Sequence, residues 1–281
     1  MIELSNVSKR YGKVCAIDNL SLYIHEAQIC CLLGRNGAGK TTLMKMINGS
    51  IVKSSGRILI NGNEVTTINM PENIRYIEAA KKQFNFKISE LIKLATELDP
   101  MFDSEFAALM INKFGLPSNK KYNSLSFGMK TMVTTMLSLS SNADIILLDE
   151  PVLGFDAITR KEFYDLLQMS FEAHPRIIIV STHLIDEIAN IASQIIMIDK
   201  GRVIMNEDIN TILEKSYKIS GISEKVETAI KDINVISKDI IGKYSTAYVF
   251  DRRIPEYDDI QIENMSVETL FIKMLGEKNN E

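Results

Sequence analysis

The sequence predicts an α/β domain with a largely parallel sheet, joined by an antiparallel β portion, a helical subdomain and a small C-terminal α+β extension. Short, uninterrupted apolar runs bounded by turn residues are typical of strands buried on both faces. Helical spacings separate several of these runs, as in parallel sheets with helical crossovers. The runs are 29–33, 58–60, 145–148, 177–180 and 195–198.

The first part of the chain has a different pattern. Ile2 and Leu4 alternate with polar residues, and so do Leu20, Leu22 and Ile24. Alternation with a period of two is typical of antiparallel strands with one exposed face. These segments predict the antiparallel β portion.

Helical spacing appears in three later regions. The segment 157–173 places its large apolar residues on one stripe, which predicts a helix. Between about 88 and 140 the β runs stop and helical spacing takes over, so we expect a helical subdomain within an α/β domain that spans 1–214. The remainder, 215–281, predicts a C-terminal accessory domain of mixed character with a terminal helix at 267–275.

Composition and cysteine content narrow the class of protein. The chain has 281 residues, 46% of them hydrophobic, and a net charge of −4, so nucleic-acid binding has no electrostatic support. The cysteines, Cys15, Cys30 and Cys31, form no disulfide framework, and two lie in an apolar run. This favours buried, reduced thiols in a cytosolic protein.

The sequence also argues against a span of its own. The N-terminus lacks the basic and apolar regions of a signal peptide. The apolar runs are far shorter than the ~20 residues that a transmembrane helix needs. If the chain acts at a membrane, we expect other subunits to supply the spans.

The segment 34–41 carries the first motif with a clear chemistry, because it fits Gly-x-x-x-x-Gly-Lys-[Ser/Thr], the P-loop. It directly follows a buried run, and a helix can continue from it. Its glycines allow backbone N–H groups to point at phosphate oxygens, while the lysine neutralises phosphate and the threonine hydroxyl binds Mg²⁺. The predicted nucleotide-binding residues are Gly34, Asn36, Gly37, Ala38, Gly39, Lys40, Thr41 and Thr42.

A buried run that ends in Asp149 and Glu150 supplies the second motif. Active groups of parallel sheets lie at the carboxyl ends of strands. Asp149 is predicted to bind Mg²⁺ together with Thr41, and Glu150 to polarise the attacking water. An apolar run followed by Asp-Glu is common by chance, but downstream of a P-loop it becomes specific.

The segment Leu125-Ser126-Phe127-Gly128-Met129 resembles the signature Leu-Ser-Gly-Gly-Gln of ATP-binding cassette (ABC) ATPases. The third and fifth positions depart from the family pattern. The resemblance implies that Ser126 and Gly128, which are retained, contact phosphate by hydroxyl and backbone N–H. By itself, Ser126 fits an ordinary helix N-cap equally well.

Other segments are similar to the same family. Residues 151–156 resemble its D-loop, which contacts the opposite copy, and His183 matches its switch histidine, which senses the γ-phosphate. Tyr11 matches the aromatic residue that stacks on adenine, although a tyrosine near a strand end is usually a packing residue. The segment 266–271 resembles the terminal helix of many bacterial exporter ATPases.

One family motif is not intact. The Q-loop glutamine would fall at Ala79, and Glu78 and Gln83 are nearby substitutes. Phe84 and Phe86 follow, and they are interpreted either as apolar anchors for a membrane partner or as core of the helical subdomain.

The resemblance implies a P-loop NTPase with the fold of an ABC nucleotide-binding domain that uses ATP and Mg²⁺. It implies two partners, a transmembrane permease subunit and a second nucleotide-binding domain, which is a second copy or a related subunit. The chain would then be the ATPase subunit of a multi-chain transporter at the inner face of the cell membrane, and the C-terminal extension favours an exporter.

Two other hypotheses stay open at this point. One is a soluble ABC ATPase of the iron–sulfur assembly type, which is also a single cassette. The other is a P-loop kinase with a small-molecule acceptor, against which Ser126, Gly128 and His183 argue. A neighbouring gene for a protein with several apolar spans would favour transport.

Overall fold

The structure is a computed structural model that describes residues 1–79, 83–255 and 259–276. The chain divides into two compact units, Met1–Asn206 and Glu207–Glu281. The two units divide at 206/207, whereas the domain boundary is predicted at 214/215, and this boundary stays a prediction. Among the described residues, no helix combines the length and apolarity that crossing a membrane requires.

The first unit contains most of the elements. Its strands are β1 (Ile2–Tyr11), β2 (Val14–Ile24), β3 (Gln28–Leu33), β4 (Ser55–Ile60), β5 (Asn63–Glu64), β6 (Ile74–Glu78), β7 (Ile145–Asp149), β8 (Ile177–Ser181), β9 (Gln194–Asp199) and β10 (Arg202–Asp208). Its helices are α1 (Lys40–Ile47), α2 (Ile88–Leu98), α3 (Ser104–Lys113), α4 (Phe127–Leu139), α5 (Ala157–Ala173) and α6 (Ile185–Ala189).

A six-stranded sheet in the order β10-β9-β3-β8-β7-β6 forms the centre of this unit. Neighbouring strands from β9 to β6 pair in parallel. Every residue of β7 and β8 is buried, as continuous apolar runs predict for strands covered on both faces. The carboxyl ends of β3, β7 and β8 therefore meet at one edge of the sheet.

A second sheet, in the order β2-β1-β4-β5, is the predicted antiparallel portion. The run 58–60 belongs here, in β4, and the expectation that it is a strand buried on both faces is wrong. Ile58 and Ile60 are buried whereas Leu59 between them is partly exposed. With only three apolar residues, the run is too short to distinguish alternation from continuous burial.

The cysteine prediction agrees with the structure. Cys30 and Cys31 are fully buried free thiols in β3. Burial raises the pKa of Cys30 to about 12, so this thiol stays protonated.

Helices α2, α3 and α4 form the helical region predicted between 88 and 140. The C-terminal end of α4 is held by Arg176, which precedes β8 and is almost completely buried. Its guanidinium donates to the carbonyl oxygens of Leu139 at 2.7 Å and Ser141 at 3.0 Å, and to the Ser170 hydroxyl at 2.5 Å. A cation at a helix C-terminus complements its dipole, so Arg176 ties α4 to the parallel sheet.

The second unit continues with α7 (Ile209–Lys215), β11 (Ser216–Ile222), α8 (Ser223–Ala229), β12 (Val235–Ile241), β13 (Tyr244–Phe250), β14 (Ile260–Asn264) and α9 (Val267–Gly276). Its antiparallel sheet has the order β12-β13-β11-β14. A separate core that includes Tyr217, Val226 and Val249 lies between α8 and this sheet. The terminal helix predicted at 267–275 corresponds to α9, whose Lys273 donates to Asp239 at 2.6 Å.

Candidate functional site

The loop between β3 and α1 has the backbone geometry that the P-loop motif requires. Gly37 and Gly39 have φ angles of 82° and 110°, a region that favours glycine. A Cβ atom at Gly39 would lie 2.6 Å from the carbonyl oxygen of Ala16, and one at Gly34 would lie 2.6 Å from that of Ile198. Side chains at these positions would therefore displace the loop.

Lys40 is the first residue of α1 and is only 8% exposed. Its ammonium nitrogen donates to the carbonyl oxygen of Gly34 at 2.6 Å and lies 3.5 Å from that of Arg35. The loop carbonyls therefore hold the cation within the curve of the loop. A phosphate group bound by the loop would meet this cation together with the positive end of the α1 dipole.

Asp149, the last residue of β7, is 5% exposed and accepts hydrogen bonds at both carboxylate oxygens. Its Oδ2 atom accepts from the Thr41 hydroxyl at 2.7 Å and from the Tyr76 hydroxyl at 3.2 Å. Its Oδ1 atom accepts from the Ser181 hydroxyl at 2.5 Å. Three hydroxyl groups from α1, β6 and β8 thus hold this carboxylate.

The residues present fit a magnesium ion. The Thr41 hydroxyl and the Asp149 carboxylate are oxygen ligands in direct contact, and Mg²⁺ prefers such ligands. In the ranges that the structure describes, no group of three or more His, Cys, Asp or Glu residues could hold a metal. An ion at Thr41 and Asp149 would therefore complete its shell with water and phosphate oxygens, as Mg²⁺ does in nucleotide sites.

Glu150 follows directly but has a different environment. Its φ angle is 52°, which is rare for a residue with a side chain. Its backbone N–H donates to the Ser181 carbonyl oxygen and hydroxyl, both at 3.1 Å. Its Oε2 atom lies 2.9 Å from Nδ1 of His183. The two successive carboxylates therefore have separate sets of side-chain partners.

Sequence reasoning missed Tyr76 as a neighbour of the site. Burial, and then the carboxylates of Asp149 and Glu78, raise the pKa of Tyr76 far above its usual range, so its hydroxyl keeps its proton. Glu78 in turn forms an ion pair with Lys45 of α1, with 2.9 Å between Oε2 of Glu78 and the Lys45 ammonium nitrogen. The sequence predicts no strand at 74–78, and the pairing of this segment with β7, which brings the Tyr76 hydroxyl to Asp149, leaves no signal in the sequence.

The structure places the other predicted ligands apart from this cluster. Ser126 is exposed at the N-cap of α4, where its hydroxyl accepts from the N–H of Met129 at 3.3 Å, and Gly128 lies in the first turn of the same helix. Tyr11 ends β1 and is 47% exposed, with the Lys9 ammonium 4.9 Å from its ring. The nucleotide roles of these three residues stay predictions.

The segment after β6 contains the predicted position of the family glutamine. Ala79 follows the strand, and Gln83 is exposed beyond residues 80–82, which lie outside the described ranges. The Phe84 ring is half-buried and lies 5.0 Å from the Tyr122 ring, whereas Phe86 is 49% exposed. A cavity of about 240 Å³ opens beside this segment and is lined in part by Ile77, Phe84, Ala95, Leu98, Phe102 and Leu137.

Comparison with known proteins identifies the family. A family model described as ABC transporter matches residues 17–153. The lantibiotic transport ATP-binding protein SrtF of Streptococcus pyogenes is 30% identical over 210 residues, which cover 74% of this chain and 91% of that protein. The ABC transporter ATP-binding protein YtrB of Bacillus subtilis (strain 168) is 29% identical over 252 residues, which cover 89% of this chain and 86% of that protein.

Solved structures share the fold. The dimeric, post-hydrolysis structure of the ATP-binding cassette MJ0796 bound to ADP and Pi has a TM-score of 0.64 and 23% identity, and the match covers 74% of this chain and 99% of that chain. The likeness confirms the predicted fold class of an ABC nucleotide-binding domain. With the sequence relatives, it leads to one conclusion: this chain belongs to the ABC transporter family, as an ATP-binding transporter ATPase.

Proposed function

We propose that this chain is the ATP-hydrolysing subunit of a multi-chain ABC exporter. In this proposal, ATP-driven closure of two cassettes moves a separate transmembrane permease subunit. The observation that carries it is the convergence of Lys40, Thr41, Asp149 and Glu150 at one edge of the parallel sheet. The resulting site has a place for phosphate, a place for a cation and a carboxylate for water.

Lys40 and the loop from Gly34 to Gly39 are proposed to bind the ATP phosphates. The ammonium now bonds carbonyl oxygens, which are weaker acceptors than phosphate oxygens, so it would exchange them for the β- and γ-phosphates. Asn36, Ala38 and Thr42 belong to the same proposed cradle, and Tyr11 is proposed to stack on the adenine.

Thr41 and Asp149 are proposed to hold Mg²⁺, which when bound neutralises charge on the phosphate oxygens. The Ser181 hydroxyl holds the second oxygen of Asp149, so the carboxylate keeps its orientation while Oδ2 faces Thr41. A P-loop site uses a hydroxyl and a carboxylate of this kind around its metal, which supports the proposal.

Glu150 is proposed as the catalytic carboxylate that orients the attacking water and accepts its proton. The 2.9 Å contact with His183 orients the Glu150 carboxylate and brings the imidazole to the same site, where it can donate to the γ-phosphate. Catalysis of phosphoryl transfer rests mainly on such positioning and on charge stabilisation.

The second cassette is proposed to complete the site. Ser126 and Gly128 are at the N-terminus of α4, where a hydroxyl, free N–H groups and the helix dipole favour an anion. Because Ser126 is exposed, the phosphate that it would contact can belong to the ATP of a second copy or of a related subunit.

A permease subunit is proposed to dock beside the helical region, at the cavity next to Phe84, whose lining combines apolar side chains with polar ones such as Arg75 and Asp99. This would put the chain at the inner face of the cell membrane. The similarity to a lantibiotic transport protein and the exporter-like C-terminal segment support export as the direction.

The test is purification of the tagged full chain from native membranes in mild detergent, followed by identification of stoichiometric partners. The proposal expects a partner with several apolar spans. It also expects ATP hydrolysis by the complex to be lost with Glu150→Gln while the complex remains intact. A stable complex with iron–sulfur assembly proteins, and with no spanning subunit, would contradict the transport proposal.

A further inference from the structure

A cluster of three side chains next to Asp149 has no part in the proposed chemistry so far. It consists of Tyr76 and Glu78 of β6 and Lys45 of α1, and we name it the β6 support. The Tyr76 hydroxyl donates to Oδ2 of Asp149 at 3.2 Å. The Lys45 ammonium lies 2.9 Å from Oε2 of Glu78 and 5.9 Å from the centre of the Tyr76 ring.

Strand register explains why these residues meet. β6 and β7 are parallel neighbours in which Glu78 lies opposite Asp149 and Tyr76 lies opposite Leu147. Side chains two residues apart share a face, so Tyr76, Glu78 and Asp149 all lie on one side of the sheet.

The P-loop helix contributes to the same cluster. Thr41 and Lys45 are one turn apart on α1 and therefore lie on one face of that helix. Thr41 reaches Asp149 and Lys45 reaches Glu78. Two side-chain contacts thus connect α1 to the neighbouring strands β7 and β6. Tyr76 touches both, with its hydroxyl on Asp149 and its ring beside the Lys45 ammonium.

The residues at the end of β6 show which polar group of this strand can act on Asp149. Residue 79, directly after Glu78, is an alanine. Its methyl group can neither coordinate a cation nor form a hydrogen bond with water. Glu78 is engaged by Lys45. The hydroxyl of Tyr76 is then the polar group of β6 that touches the proposed metal ligand.

We propose that Tyr76 is a positioning residue for Mg²⁺, and that the β6 support fixes the Oδ2 oxygen of Asp149 in its ligating orientation. A group that hydrogen-bonds to a metal ligand sets the orientation of that ligand. Removing such a group typically lowers metal affinity by about 10–100-fold. This inference rests on the proposed function of Thr41 and Asp149 as metal ligands.

The test uses the full chain with Tyr76→Phe, which removes the hydroxyl and keeps the ring. Mn²⁺ binding to the ADP-bound protein is measured by electron paramagnetic resonance, and ADP binding is measured separately in EDTA. The inference expects Mn²⁺ affinity to fall about tenfold or more, with unchanged ADP affinity in EDTA. A residue with a merely structural role would change both quantities or neither.

Two further variants make the result decisive. Tyr122→Phe removes another buried phenol, in the helical region, and should leave Mn²⁺ binding unchanged. Asp149→Asn should abolish tight Mn²⁺ binding. If Asp149→Asn does so while Tyr76→Phe binds Mn²⁺ like the wild type, the inference is wrong and the proposed metal site stands. If Asp149→Asn also binds like the wild type, both are wrong.

Discussion

We call Asp149, the proposed metal ligand, the metal side of the site, and Glu150, the proposed base, the water side. The two residues are neighbours in sequence but differ in how firmly their carboxylates are held. On the metal side, Asp149 is almost fully buried and accepts from three hydroxyl groups, those of Thr41, Tyr76 and Ser181. On the water side, Glu150 is more accessible, and its carboxylate contacts the largely exposed ring of His183.

This difference separates what one chain can prepare from what a partner must complete. Side chains from three elements of one chain fix Asp149, so under the proposed function the cation position is set without the second cassette. The Glu150 and His183 pair is open to its surroundings, as their proposed contacts with water and the γ-phosphate require. Variants on the two sides should therefore fail in different ways.

The largest effect is expected on the water side. Glu150→Gln keeps the size of the side chain but removes the base, so hydrolysis should fall by about 10²–10⁴-fold, the usual range for general acid–base groups. ATP binding should persist, and closed dimers should accumulate in gel filtration with ATP and Mg²⁺. Glu172→Gln, on the exposed face of α5, is the matched control. Hydrolysis at the wild-type rate in Glu150→Gln would exclude this carboxylate as the base.

Lys40→Ala should act on binding itself. Charge-assisted hydrogen bonds contribute about 1.5–3 kcal/mol each, so the loss of two should weaken ATP binding by about 100-fold or more. Isothermal titration calorimetry measures this change, and circular dichroism checks that the fold survives. Lys113→Ala, which removes a partly exposed lysine of α3, should bind ATP normally. Unchanged ATP affinity in Lys40→Ala would contradict the phosphate cradle.

A third pair of variants compares the two sides directly by stability. Ser181→Ala leaves a buried oxygen of Asp149 without a donor, which should lower the free energy of unfolding by about 1–3 kcal/mol. His183→Ala removes an exposed ring and should change it by no more than about 0.5 kcal/mol.

Urea denaturation of the two variants gives both values on the same scale. Equal losses of stability would mean that the two carboxylates are held equally firmly, and the contrast between the two sides would disappear.

The smallest effect concerns the segment beyond β6. The contact between the rings of Phe84 and Tyr122 favours the core interpretation of Phe84. Phe84→Ser should therefore lower the free energy of unfolding, measured by urea denaturation, by about 1–2 kcal/mol. Phe86→Ser, at an exposed ring, is the control and should be nearly neutral. If Phe84→Ser is as stable as the wild type but no longer assembles with the permease, the ring is an anchor instead.

Gln83→Ala tests the same segment for chemistry. Gln83 is exposed, and its replacement should leave hydrolysis unchanged. Loss of hydrolysis with intact ATP binding would identify Gln83 as the functional equivalent of the family glutamine.

Local pattern was sufficient for much of the fold. Continuous runs identified β3, β7, β8 and β9, and the stripe of α5 was found to its observed ends, Ala157–Ala173. The P-loop could be located because its chemistry depends on consecutive residues. These features are encoded over short stretches of chain, where periodicity and motif spacing are informative.

The remaining features depend on contacts between distant segments. The contact between Tyr76 and Asp149 can be predicted only if β6 is known to lie beside β7. The pairing of strands far apart in sequence leaves no trace in the hydrophobic pattern of either strand. The buried network of Arg176 likewise depends on where α4 ends relative to β8. The place of β4 was missed because three apolar residues suit either kind of sheet.

The left-handed backbone at Glu150 has a consequence for how this protein would evolve in the laboratory. A residue with a Cβ atom in that conformation costs about 1–2 kcal/mol, which glycine avoids and asparagine reduces. If Glu150 is the catalytic carboxylate proposed above, a screen for heat resistance alone would therefore favour replacements at this position that end ATP turnover. Under the proposed function, selection for stability and selection for activity should therefore favour different residues at position 150.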